Sequence, residues 1–549
     1  MKLRFTLLLL LTVLLSHASV YFVDDTNGSD TNDGLSYLTA WQTLNKVNTF
    51  ALNAGDSVLF KRDGVWRGQL LPQSGNSAAP ITYSAYGFGL FPLFFGSADV
   101  SSTAGWTSEG NNIWRSAQTS SVDVGSLIFN FETAVGVKKW TQAALQQQGD
   151  FWYDKTGTQT VKLYSATNPG QYYSHIEAAL GKFIVYMTVD SFINLNNLAF
   201  KYGSADGIEV RNSHHINITD CFLSYIGGCE LTNQVRYGGG IQFWANSNNN
   251  YVERCRFSEI YDDAVTNQGN TTAGGTLQQY NLYYRSNVIS NCSESSFCLM
   301  LQPAITSGSF MKNIYFENNT CIHAGGGWAA AQRPDRKGFQ VYCSAVTAAT
   351  DSIFIRNNIF YQSRCVYFFD NSSVHVLSKT ISDYNCWFTS NATDTLVAFW
   401  TSSSLSVYNA NQFSSYQVAE GEDSHTFLAD PLFINVSIQN YHLSSPSPCV
   451  NTGVANGLSN DIEMSPRPQG SGYDMGAYEY AEVAGVLNTV DEQAFEIYPN
   501  PTSGILIINA AEQLNKGGMI IIDSWGKVAY QLENIYSTNI FNTSVLSRG

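Results

Sequence analysis

A short alternation of apolar and polar residues, closed by a polar pair and another apolar residue, recurs along the middle of the chain. Its copies start at Ile193, Ile216, Tyr251, Leu282, Ile314 and Ile353, with spacings of 23, 35, 31, 32 and 39 residues. Alternation at every second residue predicts a strand, and the polar pair predicts a tight turn into a second strand. Such a unit cannot bury its apolar side alone, so copies must stack. The pattern therefore predicts an all-β solenoid of stacked coils.

A further strand follows each copy, at 207–211, 240–244, 264–268, 298–302, 339–342 and 366–370. Period-two alternation predicts that one residue of each of the first five strands points inward, namely Ile208, Ile241, Val265, Leu299 and Phe339. Two outward columns are then expected, Glu209, Gln242, Thr266, Met300 and Gln340 beside Arg211, Trp244, Gln268, Gln302 and Tyr342. Amide forks and flat rings suit sugar hydroxyls and sugar faces, although stacked amides also satisfy one another. These columns predict a carbohydrate-binding surface.

The rest of the chain divides around this solenoid. We expect a signal peptide at 1–18, an N-terminal cap and first coils at 19–99, a β-rich insertion at 100–178, the β-helix at 179–480, a linker at 481–492 and a small β-sandwich at 493–549. The cap is expected to contain a short helix starting near Thr39, and to cover the open first coil. Its strands are expected at 56–61 and 64–68.

Composition narrows the classes of ligand. Charged residues make up 13% of the 549 residues, aromatic residues another 13%, and the net charge is −15. The charged share is about half of the usual one, roughly 25%. Without a basic stripe, nucleic acid is not expected as a partner. A surface rich in Tyr, Trp, Asn and Gln suits neutral polyhydroxylated ligands, so we expect a polysaccharide substrate and a monomeric protein.

The N-terminus predicts export. Met1-Lys2-Leu3-Arg4 is followed by an apolar run from Leu7 to Leu15 and by small residues ending at Ala18, which is typical of a secretory signal peptide. An exported chain permits disulfides, and the repeats place Cys221 and Cys255 in one column. A disulfide and a ladder of buried thiols both fit that spacing. No Cys/His cluster has the spacing of a zinc site.

Two segments resemble known families. The Asn-rich coils, opened by Asp206-Gly207-Ile208 and Gly240-Ile241-Gln242, resemble the right-handed parallel β-helix of pectate-lyase-like proteins. The segment from Phe495, with its Tyr-Pro-Asn-Pro at 498–501, resembles the type A sorting domain of the type IX secretion system of Bacteroidetes. The resemblance implies export through the periplasm to the cell surface or medium by that machinery. A final strand and basic C-terminus of the sorting domain are missing, so that domain looks truncated.

The loops between strands carry the candidate catalytic residues. The acids are Asp262 and Asp263 before one coil and Asp335 two coils later, in a loop that also holds His323, Trp328 and Arg333. Two rungs of a parallel sheet separate backbones by about 9.6 Å. Side chains could then bring the carboxyls into the roughly 6.5–9.5 Å window of an inverting glycosidase. For Asp262 and Asp263 a turn-capping role is the alternative, and for Arg333 a local salt bridge with Asp335.

These residues favour a glycoside hydrolase with paired carboxylates and no required cofactor. Lyases that share the resemblance use calcium and an Arg or Lys base, and calcium would be expected only in that case. A non-catalytic carbohydrate-binding adhesin is the third alternative, because this fold hosts unrelated functions.

Overall fold

Parallel strands stack into three long faces. In the computed structural model the described residues are 18–481 except 270–274, 302–307, 334–337, 345–349, 371–375 and 402–403, together with the backbone of five strands beyond residue 494. Faces 1 and 2 form one 17-stranded sheet, and face 3 is a 10-stranded sheet. Strands of successive coils pair in parallel, as Ile208 with Ile241 and Ile241 with Val265. The chain is therefore an all-β parallel β-helix, as the repeats predict.

The strand bounds follow the three faces. Face 1 contains Val185–Thr188, Asp263–Gly269, Ser295–Leu301, Phe339–Ser344, Cys365–Asp370 and Thr395–Thr401, and ends with the antiparallel Ser404–Asn409. Face 2 contains Val20–Val23, Ser57–Lys61, Ile81–Tyr86, Ser191–Asn196, Gln278–Arg285, Phe310–Glu317, Thr350–Arg356 and Thr380–Asp383. Two long strands, Ile208–Thr219 and Ile241–Glu253, run through faces 1 and 2. Face 3 contains Val65–Arg67, Leu93–Phe95, Ala199–Lys201, Phe222–Ile226, Arg256–Ile260, Val288–Cys292, Thr320–Ala324, Ile359–Ser363, Cys386–Phe388 and Phe427–Leu428.

Period-two burial fills the interior of the β-helix. Ile208, Ile241, Val265 and Phe297 are fully buried in one continuous apolar cluster that runs through the coils. The polar pairs of the repeats form a buried ladder at the corner between faces 2 and 3, in which Asn287, Asn319, Asn358 and Asn385 each donate to the next side chain or to a backbone carbonyl. Each side-chain oxygen also accepts a backbone N–H from the turn of the preceding coil, so the ladder holds successive coils in register.

The register of face 1 differs from the expected columns after the third rung. Thr266 pairs with Cys298 instead of Met300, Gln268 pairs with Met300, and Cys298 pairs with Tyr342. A slip of two residues keeps every side chain on the same face, so alternation cannot detect it. Gln340 was expected outside and is fully buried at the corner, where its amide contacts carbonyls of face 3.

The N-terminal cap closes the first coil. Its helix is Leu44–Thr49, later than the expected start near Thr39, because Thr43 is the N-cap and accepts from the Lys46 N–H. The fully buried Trp41 and Tyr83 belong to the same apolar cluster as the coils. The cap thus extends the core instead of forming a separate one.

Residues between face 3 and the next coil build two small sheets. One contains Ala134–Val135, Leu127–Phe129, Ile176–Ala179 and Ser97–Asp99, and the other Val137–Lys138, Asp150–Tyr153, Thr160–Tyr164, Ile113–Thr119 and Trp106–Gly110. Short helices lie at Thr103–Gly105, Gln142–Ala144 and Pro169–Tyr172. Their side chains form an apolar core of their own around Phe129, Phe151 and Leu163. The insertion lies beside a hairpin of the β-helix, Cys229–Thr232 and Val235–Tyr237, because the Glu230 N–H donates to Asp123 and Arg236 donates to the Gly125 carbonyl.

The last coil is covered by a short helical segment, and the chain then turns back along face 3. The remaining helices are Ala330–Gln332, Val376–Lys379, Ala410–Gln412, Phe413–Glu420 and Val436–Ile438, with a hairpin of Phe433–Asn435 and Asn440–Leu443. Tyr441, Ile462 and Ala477 pack on Val288 and Ile322 of face 3. The last part of the predicted β-helix at 179–480 therefore lies along the outside of the coils.

Two predictions about the termini lie largely outside the described residues. The signal-peptide prediction falls on residues 1–18, of which only Ala18 is described. In the segment predicted as a sorting domain the strands are Phe495–Tyr498, Ile505–Ala510, Thr538–Asn542, Met519–Ile522 and Val528–Leu532. No helix in the described part of the chain is long and apolar enough to cross a bilayer. All ten cysteines are buried free thiols, Cys221 and Cys255 among them.

Candidate functional site

Two acids stand where the strand Ile208–Thr219 enters face 1. Asp206 lies at the corner before the strand, and Glu209 is its second residue. Both are buried, with 2% and 0% of the residue exposed. Glu209 belongs to the outward column, between Tyr186 of the preceding coil and Gln242 of the next. A buried acid on the outward side of a sheet needs a cover and partners.

Glu209 has charged and neutral hydrogen-bond donors. The Arg211 Nε–H donates to Oε1 of Glu209, and Gln242 Nε2 donates to Oε2 at 2.9 Å. The Arg211 side chain is 35% exposed, and its guanidinium lies 5.4 Å from the Trp244 ring centroid and 6.0 Å from that of Phe183. Stacking and the ion pair together hold Arg211 over the carboxylate. Glu209 is thus equipped to remain ionised.

Asp206 has far fewer partners. Its Oδ1 accepts the backbone N–H of Gly239 at 2.7 Å. Its Oδ2 is buried and makes no hydrogen bond to the described residues. A buried carboxyl oxygen without a donor favours the protonated acid, because an unpaired buried charge is costly.

Electrostatics separate the two acids. Burial raises the pKa of Asp206 well above its usual range, and the negative charges of Glu209 and Asp262 raise it further. Burial also raises the pKa of Glu209, but Arg211 and Gln242 oppose that rise. The ion pair and the hydrogen bonds of Glu209 therefore favour the charge on Glu209 and the proton on Asp206.

An apolar wall supplies the burial. Phe183, Ala205 and Cys229 pack together, with Val122 of the insertion and Tyr237 of the hairpin against them. Burial raises the pKa of the Tyr237 hydroxyl, and its interactions with Cys229, Asp206 and Glu209 raise it further, so this ring lies close to both acids. Three separate stretches of chain therefore meet at the dyad formed by Asp206 and Glu209.

The acids predicted to be catalytic have other surroundings. Asp262 accepts from Arg333 through Oδ1 and from the Gly238 N–H through Oδ2, the latter at 2.8 Å. Asp263 is buried, and the Ser295 hydroxyl donates to its Oδ1 at 2.5 Å. Asp335 lies outside the described residues, so the predicted spacing of Asp262 and Asp335 stays a prediction.

The residues predicted to bind substrate fall into two groups. Glu209, Arg211, Gln242 and Trp244 lie together around the dyad, and Gln268 continues the column of Arg211 and Trp244. Tyr342 is buried at the level of Cys298, and Gln302 lies outside the described residues.

Three further predicted residues lie on or beside the loop that follows face 3. His323 is exposed on face 3, beside the ring of Tyr361, and so lies apart from the face 1 columns. Trp328 uses both of its N–H groups on Glu259, the indole donating to the carbonyl at 3.0 Å and the backbone to Oε2 at 2.7 Å. Arg333 bridges Asp262 and Glu294. The loop is thus tied down by its own polar groups.

Asp206 is the residue that the sequence analysis did not single out. It entered only as part of the Asp206-Gly207-Ile208 opening of a coil. A usable signal existed, since two acids three residues apart frame a strand entry in a chain with 13% charged residues. The hairpin that covers them could not be foreseen from the spacing of the repeats. In the described part of the chain, no group of three or more His, Cys, Asp or Glu residues is arranged to hold a metal ion.

Comparisons with known proteins give short or distant similarities. No protein-family model matches the chain. A lacto-N-biosidase of Bifidobacterium longum subsp. longum is 42% identical over 77 residues, which are 13% of this chain and 5% of the relative. The native GH136 lacto-N-biosidase structure of Eubacterium ramulus superposes with a TM-score of 0.42 and 15% identity over 69% of this chain and 57% of that one. A rhamnogalacturonan lyase structure superposes with a TM-score of 0.40 and 12% sequence identity, over 78% of this chain and 96% of that one. At these scores the similarities decide nothing about the activity.

Proposed function

We propose that the protein is an exported carbohydrate-active enzyme, a glycoside hydrolase in which Asp206 and Glu209 perform the chemistry. The supporting observation is the buried dyad, in which one carboxyl is disposed to carry a proton and the other a charge. Two carboxyl groups in different protonation states are what glycoside hydrolysis requires. The short match to a lacto-N-biosidase agrees with this choice.

Asp206 is assigned the role of general acid. Its Oδ2 carries the proton, because Oδ1 already accepts the Gly239 N–H. As the bond between the anomeric carbon and the bridging oxygen breaks, that proton passes to the departing oxygen. The leaving sugar then departs as a neutral alcohol.

Glu209 is assigned the ionised role. It either attacks the anomeric carbon or takes a proton from the water that attacks, which correspond to retention and inversion. Arg211 and Gln242 orient its two oxygens and keep it charged in the buried site. Water supplies the new hydroxyl on the anomeric carbon, and its second proton restores the dyad.

The cover of the dyad belongs to the same proposal. Both carboxyls are buried, with the Tyr237 ring and the Arg211 guanidinium beside them and Phe183 against Arg211. Substrate must displace part of this cover, and Arg211 is the member of it whose side chain is about one third exposed. Trp244, which stacks on Arg211, is then positioned to receive a sugar face.

The test begins with the secreted protein and a panel of neutral and acidic polysaccharides and aryl glycosides. On the substrate that is cleaved, Asp206→Asn should reduce kcat by roughly 10²–10⁴-fold, the usual contribution of a general acid. The loss should be much smaller on an aryl glycoside whose leaving group needs no proton. Glu209→Gln should inactivate the enzyme on both substrates. Glu463 is an exposed acid on the segment along face 3, where it lies 3.0 Å from His442, and Glu463→Gln should change neither activity.

Three results would contradict the proposal. Full activity of Asp206→Asn and Glu209→Gln would remove the dyad from the mechanism. Unsaturated products that absorb in the near ultraviolet, formed only without chelator, would identify a lyase. Saturable binding of a polysaccharide with no turnover of any substrate would identify an adhesin. The anomer released first, followed by NMR, separates the retaining from the inverting role of Glu209.

A further inference from the structure

Arg333 joins acids of two successive coils next to the dyad. Its Nη1 donates to Asp262 and to the Tyr261 carbonyl, the latter at 3.0 Å, and its Nη2 donates to Glu294. Only 5% of the Arg333 side chain is exposed, and its guanidinium lies 5.0 Å from the centroid of the Tyr261 ring. A guanidinium with this many fixed partners is a rigid element.

Asp262 transmits that rigidity to the turn that holds Asp206. Asp262 and Gly238 exchange two hydrogen bonds, the Gly238 N–H donating to Oδ2 at 2.8 Å and the Asp262 N–H to the Gly238 carbonyl at 3.0 Å. The next N–H, that of Gly239, donates to Oδ1 of Asp206 at 2.7 Å. Two adjacent amides of one turn are therefore shared between the two acids.

The turn itself tolerates little displacement. Gly238 has φ of +140°, and a Cβ at that position would lie 2.4 Å from the Gly227 Cα. A Cβ at Gly239 would lie 3.1 Å from the Asp263 carbonyl oxygen. Backbone segments approach the turn so closely that a Cβ would be crowded at both positions, and the hydrogen bonds to Asp206 and Asp262 fix where the turn lies.

We propose that Asp262, held by Arg333, is a positioning residue that fixes the Gly238–Gly239 turn on Oδ1 of Asp206 and so leaves Oδ2 as the oxygen that carries the proton. Asp262 touches neither the substrate nor the reacting atoms in this assignment. The role of Asp206 as the acid rests on the proposed function. The placement of Asp262 beside Asp206 does not.

The charge of Asp262 adds a second, measurable effect. The groups that face Asp206 are Glu209 and Arg211 on the strand that follows it, Asp262 at the entry of a later coil, and Tyr237 on the hairpin. Burial is the main cause of the raised pKa of Asp206, and Asp262 raises it while Arg211 lowers it. Removing the charge of Asp262 should therefore make Asp206 a stronger acid.

The experiment compares Asp262→Asn with Glu294→Gln. Each variant removes one of the two carboxylates that pair with Arg333, but only Asp262 contacts the turn that holds Asp206. For Asp262→Asn, the alkaline limb of the pH–rate profile should move to lower pH by about one unit, the usual size of one neighbouring charge. Glu294→Gln should lose similar thermal stability and leave the limb in place.

A second readout does not depend on activity. The difference in unfolding free energy between the parent and its Asp206→Asn variant, followed against pH, reports the pKa of Asp206 by linkage. In the Asp262→Asn background this titration should move in the same acidic direction. If Asp206 is not the catalytic acid, the pH–rate profile no longer reports its pKa, whereas the stability titration still does.

The inference is overturned if both readouts stay unchanged in Asp262→Asn, or if Glu294→Gln shifts them equally. If Asp262→Asn does not fold, Arg333→Met provides the opposite test. It leaves Asp262 charged and without its counter-ion, so the limb and the titration should move to higher pH. A shift of Arg333→Met to lower pH would also overturn the inference.

Discussion

At the scale of single residues, the site depends on unequal hydrogen bonding of two acids. Glu209 has two side-chain donors, whereas Asp206 has a single backbone donor and one oxygen without a partner among the described residues. Burial acts on both, so the difference in their partners decides which one keeps the proton. The same imbalance should be visible in stability as well as in catalysis.

The pH dependence of unfolding should change in Asp206→Asn. The pKa of Asp206 is raised in the folded protein and ordinary in the unfolded chain, so folding binds a proton. The corresponding stability is present at low pH and is lost as pH rises through the elevated folded pKa. Between about pH 5 and about pH 8 the wild type should lose more stability than Asp206→Asn. Urea unfolding at both values measures this, and parallel losses would show that Asp206 ionises normally.

At the scale of elements, the corner ladder of asparagines keeps the coils in register. Asn319 is fully buried, and its side chain accepts a hydrogen bond from Asn287 and donates one to Asn358 of the neighbouring coils. The ladder begins with Asn287, which accepts the Cys255 N–H at 2.8 Å and so reaches the coil that contains Gln242. The ladder therefore holds together the coils that follow the dyad.

Asn319→Ala should destabilise the protein by about 2–4 kcal/mol, because it leaves buried donors and acceptors of two coils unpaired. Asn194→Ala is the matched control, since Asn194 is only partly buried and donates to Thr82 across one rung. That variant should lose about 1 kcal/mol or less. Chemical denaturation measures both free energies of unfolding. Equal losses in the two variants would show that the buried ladder contributes no more stability than the partly buried Asn194 does.

At the scale of the whole molecule, segments outside the coils cover surfaces of the β-helix that the coils alone would leave exposed to solvent. The insertion and the hairpin cover face 1 at the dyad, and the segment up to residue 481 covers face 3. That segment is held by Arg467 and Glu479, whose side chains are fully buried and 2.7 Å apart. Face 3 is remote from the columns of face 1, so stability and chemistry can be separated by mutation.

Arg467→Met should cost about 3–5 kcal/mol, because it leaves Glu479 charged and unpaired in the interior. The double variant with Glu479→Leu should regain much of this loss, since apolar residues can replace a buried ion pair. Both should keep the wild-type kcat below their unfolding temperature. A double variant as unstable as the single one would show that the backbone contacts of Arg467, and not the ion pair, carry the stability.

The stacked coils could be predicted from the sequence because their causes are local. Alternation at every second residue and a polar pair at each turn specify a strand, a turn and a face to bury, and repetition then requires stacking. The columns around Glu209, Arg211, Gln242 and Trp244 followed from the same pattern. The slip beyond Thr266 did not, since a shift of two residues leaves the pattern unchanged.

The identity of the dyad was decided by tertiary structure alone. Asp206 owes its raised pKa to a cover built from the preceding coil, the insertion and the hairpin, which lie far apart in the chain. Asp262 is held in place by an ion pair with Arg333, which lies 71 residues later in the chain. Local sequence determines which side chains point outward, but the desolvation and the partners that set their charge arise only when distant segments pack together.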